Sequence, residues 1–376
     1  MRGFFVLLVV AIVLSNVGSK LNDFHWTRSS VSDLLTESDP PPGFAYALEP
    51  RAFSFPQDHG AHSNYRSEWW YFTGNLTNQD ERRFGFQLTF FRFALVAQLR
   101  ESPSPWRKSD VYMGHFAISD IATGEFHSFE RHSRSALGLA GADHEPTRIW
   151  IKDWSLELDE SNTESWILRA RQDNIALALE LHPRRPIILQ GERGLSKKNE
   201  LPGNASYYYS IPRLAAIGTI STVDAVYKVS GEAWFDHEWG TSALAPGQRG
   251  WDWFSLQLDN DVEVMFYQIR DASGRADTAS HGVVLRLGKA PATLLADDVS
   301  LEVQRYWRSP VSGTRYPASW KIEIPKHRLE LVVTPQFSDQ EWRKGFTYWE
   351  GSVAINGHSA GLPVNGSGYV ELVGYE

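Results

Sequence analysis

GEAWFDHEWG (residues 231–240) and, after a short connection, GWDWFSLQLDNDVEVMFYQIR (250–270) decide how the chain is read. The second run has the outline of a β-hairpin. Trp251 to Leu258 is aromatic and aliphatic, Asp259-Asn260-Asp261 is a turn cluster, and Val262 to Ile269 returns. In the first run Asp236, His237 and Glu238 stand between Trp234 and Trp239. As a strand it points Asp236 and Glu238 to one face with Trp234, and His237 to the other with Phe235 and Trp239. Carboxylates two residues apart on one strand face lie roughly 6.5–7 Å from each other.

A second hairpin precedes it: EWWYFTGNL (68–76), the turn TNQDERR (77–83) and FGFQLTFFR (84–92). Trp69, Tyr71, Phe72, Thr73, Leu76 and Asn78 match Trp251, Trp253, Phe254, Ser255, Leu258 and Asn260 at one offset, 251 − 69 = 182. Both hairpins close on an arginine, Arg92 and Arg270. A constant offset over six positions points to duplication, hence two related domains rather than a solenoid. The rest of the chain reads as short strands with turn punctuation, among them Tyr207–Ile211, Thr219–Val223 and Ala225–Gly231. Helical periodicity is scarce. The expected fold is all-β, with two tandem antiparallel β-barrels packed together.

The 376 residues carry a net charge of −8, which argues against a nucleic-acid partner. There is no cysteine, so disulfides, thiolate nucleophiles and Cys-ligated zinc are excluded. Fifteen tryptophans suit sheet surfaces and aromatic-lined cavities alike. Met1 to Ser19 has the form of a cleavable signal peptide, with Arg2, an apolar run and small residues at Val17 and Ser19. It implies a periplasmic or secreted protein cleaved near Ser19. Residues 20–52, with Pro40-Pro41-Pro42, read as a lead-in, 53–243 as the first barrel and 244–376 as the second.

Asp236-His237-Glu238 is the sharpest chemical candidate. If the Asp236/Glu238 face lies inside a barrel, desolvation and mutual repulsion raise at least one carboxyl pKa. A neutral carboxylic acid among aromatic walls can protonate an apolar substrate, and the ring faces can stabilise the resulting carbocation. A surface strand whose acids pair with arginines and indole N–H groups would show the same residues. Tyr208 and Trp251 are placed to shape such a site. Candidate ligand-binding residues are His59, His62, Arg66, Trp69, Trp70, Tyr71, Arg92, His115, Tyr207, Trp234, Trp239, Trp251 and Trp253. Arg66 and Glu68 read as an ion pair at a barrel mouth. His59, His62 and His115 form no motif with metal-ligand spacing, so no metal site is assigned. Ser67, Ser210 and Ser255 lack a nucleophile-elbow context, so a serine hydrolase is unsupported.

The runs FPQDHGAHSNYRSEWWYFTGNL, GFQLTFFR, GHFAISD, LQGERGLSKK, SYYYSIPRL, GEAWFDHEWG, GWDWFSLQLDND, YWEG and YVELVGY cover most of Phe53 to Tyr375. In these the chain resembles the AttH proteins and hydroxyneurosporene synthases (carotenoid 1,2-hydratases), a group also labelled secreted hydrolases. The resemblance implies two lipocalin-like barrels with a ligand pocket among the aromatic motifs. It implies no cofactor. For the hydratases it implies acid-initiated addition of water to an isolated double bond, and for the AttH branch an association with a membrane ABC transporter. Three functions remain open. One is a carrier for an apolar, elongated small molecule, a lipid or isoprenoid. Another is a hydratase or isomerase with Asp236 or Glu238 as acid. The third is a purely structural two-barrel scaffold for a protein partner, with filled barrel interiors.

Overall fold

The computed structural model describes residues 42–97, 109–159, 165–242 and 244–375. The signal segment Met1–Ser19 and most of the lead-in lie outside these residues. The remainder of the lead-in packs down: Phe44 and Ala47 are buried, and Ala45 N–H donates to Asn64 O at 2.9 Å.

Two antiparallel sheets hold all the described strands, curled into a barrel and a half-barrel of lipocalin-like form. Their topologies repeat. In the first sheet the strand Ser67–Asn78 lies between its hairpin partner Arg83–Ala94 and the closing strand Val226–Gly240. In the second, Gln248–Leu258 lies between Val262–Asp271 and the closing strand Leu362–Leu372. Each opening strand thus pairs with the closing strand of its own half, and the duplication seen in the hairpins extends to nine successive strands; the first sheet adds Thr147–Ile151 and Ala140–His144 at one edge.

The period-2 alternation along Ser67–Asn78 sets the layers. Trp70 and Phe72 turn into the first barrel with Phe86, Leu88 and Phe90, whereas Trp69 and Tyr71 turn outward. The second barrel fills its interior with Phe254, Leu256, Trp320, Leu331 and Trp349. Some strands are longer than the sequence suggests. Tyr207–Ile211 and Thr219–Val223 belong to one strand, Ala205–Ser221. It continues through Pro212 because the register against Val226–Gly240 slips between Ile211 and Leu214. Such an irregularity accommodates a residue with no N–H to give.

The two barrels meet outer face to outer face. Tyr71, Tyr208 and Trp234 of the first pack with Trp253, Met265 and Tyr267 of the second. The side-chain amide of Gln257 donates to the carbonyls of Pro212 and Ala233, at 2.9 and 3.0 Å. The fully buried Glu263 receives Arg213 Nε at 2.6 Å and Arg185 Nε at 3.0 Å from the first barrel. Gly85 marks a close approach, since a Cβ there would stand 2.7 Å from Ser352 Cβ.

Candidate functional site

The alternation of the strand Val226–Gly240 separates its chemistry into two environments. Trp234, Asp236 and Glu238 project from the outer face of the first barrel, and Phe235, His237 and Trp239 project into its interior. The acids therefore lie outside the barrel, not inside it as the sequence reading supposed. They are buried all the same, because the second barrel covers them.

Between the barrels lies a cavity of about 120 Å³. Its walls are largely aromatic, with Trp69, Tyr71, Tyr208, Trp251 and Trp253 among them. Four carboxyl groups face it. Asp236 and Glu238 come from the first barrel, Glu350 and Glu371 from the second. The Cα atoms of Glu350 and Glu371 are register partners on adjacent strands.

Asp236 receives three donors: Tyr208 Oη at 2.5 Å, Ser210 Oγ at 2.5 Å and Trp234 Nε1 at 2.7 Å. Burial nonetheless pushes its pKa up to about 7, against those hydrogen bonds, and the nearby charge of Glu238 adds to the rise. Glu350 accepts from Tyr71 Oη at 2.6 Å. Burial first, and Glu371 second, hold Glu350 well above the usual carboxylate range. Glu371 accepts from Trp251 Nε1 at 3.1 Å, and burial lifts it to about 8. The single lysine of the cavity, Lys198, lies 2.9 Å from Glu238. Burial works against its charge, but Glu238 outweighs that and raises its pKa. Three acids that retain protons near neutrality and one internal ion pair leave a cavity of little net charge.

His115 also lines the cavity. Its Nδ1 is 2.9 Å from Tyr348 Oη and its Nε2 is 3.2 Å from Glu130 Oε2. Burial lowers its pKa more than Glu130 raises it, so the ring is neutral.

Of the sequence candidates, Trp69, Tyr71, His115, Tyr208, Asp236, Glu238, Trp251 and Trp253 line the cavity, and Trp234 braces Asp236. His59, His62, Trp70, Arg92, Tyr207, His237 and Trp239 gather instead on the interior side of the first barrel. There Glu68 does not partner Arg66. It accepts from Arg92 Nε at 3.0 Å, His62 Nδ1 at 2.7 Å and His237 Nε2 at 2.9 Å. Burial would raise the Glu68 pKa, but His62, Arg92 and His237 hold it well below the usual range. Tyr209 Oη joins His59 Nδ1 at 2.6 Å to His237 Nδ1 at 3.1 Å. Ligating atoms of His62, Glu68 and His237 lie within 4.8 Å of one another, close enough for a metal ion. Each of those atoms already has a hydrogen-bond partner, and Arg92 adds a cation beside them.

Sequence reading assigned no chemistry to Lys198, Tyr348, Glu350 or Glu371. The signal lay in the runs LQGERGLSKK, YWEG and YVELVGY, which were informative as motifs before their facing partners were visible.

A family model described as AttH-like matches residues 46–375. Kievitone hydratase of Fusarium solani subsp. phaseoli is 25% identical over 190 residues, covering 45% of this chain and 49% of that protein. The match thus spans about half the length of that curated relative. The crystal structure of an AttH protein from Nitrosomonas europaea superposes with a TM-score of 0.79 at 32% identity, covering 89% of this chain and all of that one. Kievitone hydratase from Nectria haematococca shares the fold at a TM-score of 0.66 and 16% identity, over 89% of this chain and 97% of that one.

Proposed function

The chain belongs to the AttH-like family, and from that premise we propose that it is a cofactor-independent hydro-lyase. It would add water across a carbon–carbon double bond of an uncharged, largely apolar substrate held between the barrels. The observation that carries this reading is the set of carboxyl groups, Asp236, Glu238 and Glu350 buried and Glu371 half-buried, that face one aromatic cavity. Burying carboxyls together in this way is costly. A carrier of apolar molecules needs the aromatic walls but not the acids.

Asp236 is the donor, because a general acid works best with a pKa near the operating pH. Its proton passes to one alkene carbon. The faces of Tyr71 and Trp253, whose rings meet edge to face at 5.1 Å, shield the cation on the other carbon. Water adds there and gives its proton to the Asp236 carboxylate, which restores the acid for the next turnover. The resemblance to a hydratase over part of the chain supports this reaction class.

Incubation with kievitone and with neurosporene in ¹⁸O-labelled water, followed by mass spectrometry, tests the reading. A product heavier by one labelled water is expected from the native chain. Asp236→Asn should reduce turnover by about 10²–10⁴-fold while retaining binding, since the amide keeps the shape but has no carboxyl proton. Binding of both probes with turnover of neither favours the carrier reading, to which service of an ABC-type transport system would belong. Export is a separate proposal, checked by N-terminal sequencing of material recovered outside the cytosol.

A further inference from the structure

Among the described residues lining the cavity, Lys198 alone brings a cation, and the hydration steps leave it unused. Its side chain is 14% exposed, and its Nζ lies 2.9 Å from Glu238 Oε1. Nζ also donates to Ser196 Oγ at 3.1 Å. Ser196 Oγ lies 2.9 Å from Tyr267 Oη, which is 2.7 Å from His281 Nδ1. The ring of Tyr267 backs the ammonium at 4.6 Å. A long, flexible side chain is thus fixed from several directions.

Neutralising Glu238 does not account for this arrangement. Asp236, two residues away on the same face, is kept by two hydroxyls and an indole with no cation bonded to it. Glu350 is kept by Tyr71. This cavity therefore holds carboxyls without an ammonium. An ammonium has three N–H groups, and Glu238 and Ser196 take two. Lys198 and Ser206 both reach Oε1 of Glu238, which leaves Oε2 to accept. The group that complements the pair both accepts and donates, which is what a neutral hydroxyl does.

Register places this pair at one end of the cavity. Met113, Phe91, Trp69, Glu238 and Tyr208 are partners in turn across adjacent strands. Lys198 follows the short strand Leu195–Lys197, which pairs on the far side of Tyr208. The row therefore runs from an apolar end, where Phe346 joins Phe91 and Met113, to a polar one.

We propose that Lys198 and Glu238 bind a hydroxyl group of the substrate, roughly 6.5–7 Å from the carbon that Asp236 protonates, the distance between carboxylates two residues apart on one strand face. The apolar arm of the substrate then extends over Trp69 toward Phe91 and Met113. The substrate is an alkenol rather than a pure hydrocarbon. This assignment rests on the hydration reading and narrows its substrate class.

Geraniol and its deoxy hydrocarbon, 2,6-dimethylocta-2,6-diene, form a matched pair of probes. Trp251 and Trp253 line the cavity, so quenching of tryptophan fluorescence reads binding. The native chain should bind the alcohol about 10–100-fold more tightly, because a hydrogen bond to a charged group outweighs the easier transfer of the hydrocarbon out of water. Lys198→Met combined with Glu238→Gln removes both charges together and leaves no buried ion alone. It should bind the alcohol about 10–100-fold more weakly than the native chain does, with the hydrocarbon unchanged. Native binding of the hydrocarbon as tight as that of the alcohol would overturn the proposal, as would binding of neither. Equal binding of the alcohol by both chains would overturn it too, and the native comparison decides by itself if the double variant does not fold. Turnover separates the two readings. Selective binding of geraniol by a chain that hydrates neither geraniol nor kievitone retains the hydroxyl site and rejects hydration. Equally fast hydration of geraniol and the hydrocarbon retains hydration and rejects the hydroxyl site.

Discussion

The two barrels share a strand order and differ in what each face carries. Tyr71, opposite Asp236, corresponds at the 182-residue offset to Trp253, opposite Glu371. On the next strand, Ser210 opposite Asp236 corresponds to Glu350 opposite Glu371, and Tyr208 to Tyr348. The outer faces thus bring the same kind of unit, a tyrosine beside a buried carboxyl, to opposite walls of one cavity. The interiors have diverged. Arg92 reaches Glu68 inside a network of histidines, whereas Arg270 reaches Asp252, two residues further along the equivalent strand. The second interior has no counterpart of that histidine network among the described residues; its other buried carboxylate, Glu341, accepts from Tyr316 Oη at 3.1 Å. Duplication preserved the face where the halves must meet and relaxed the face that each half packs alone.

Mirrored substitutions test that difference. Glu68→Gln should destabilise the first barrel by about 3–5 kcal/mol, because one buried carboxylate serves Arg92, His62 and His237 at once, even though Arg92 keeps Asp110. Asp252→Asn in the second should cost less, about 1–3 kcal/mol, since Tyr375 continues to bond that side chain and Arg270 also reaches Val373 O. Urea unfolding of both variants measures the gap, and equal losses would break the comparison.

Titration should expose the same asymmetry. His59 and His237 are pushed by burial from 6.5 to about 3 and about 4. The unfolded chain takes up their protons first, so this stability is complete above about 6.5 and is lost as pH falls toward 4. Asp236 behaves oppositely, rising from 3.8 to about 7. Its contribution is complete below 3.8 and is lost as pH rises through 7. Hydrogen exchange should therefore show Ile175–Pro183 losing protection at pH 5 before its counterpart Leu329–Pro335. Asp236→Asn should remove the alkaline loss. An effect no larger than that of Asp252→Asn is expected at the contact itself. Gly85→Ala should cost about 1–3 kcal/mol by pushing the barrels apart at Ser352, read as a lower melting temperature.

Much of this was legible in the residues. Alternation alone put Asp236 and Glu238 on one side of a strand and His237 on the other, and the hairpin offset announced two halves. The same alternation separates Trp69 and Tyr71 from Trp70. Applied throughout, it would have divided the aromatic and histidine candidates between cavity and interior. What alternation cannot supply is which face of one half meets which face of the other. Glu350 acquires meaning only when Tyr71 of the other half comes against it. A strand face reads as outward whether water or another barrel covers it. For that reason burial of the acids was foreseen for the wrong side of the sheet.

The closing strands carry a consequence for synthesis. Asp236 lies on the strand that completes the first sheet, and Glu371 on the strand that completes the second. As the chain leaves the ribosome, the first barrel closes while Trp69, Tyr71, Tyr208 and Trp234 still lack their cover. A nascent half with a sticky aromatic wall and a charged acid beneath it must wait for more than a hundred further residues. The cavity can therefore be completed only with the final strand, and the interval before it is when the chain is most exposed to aggregation.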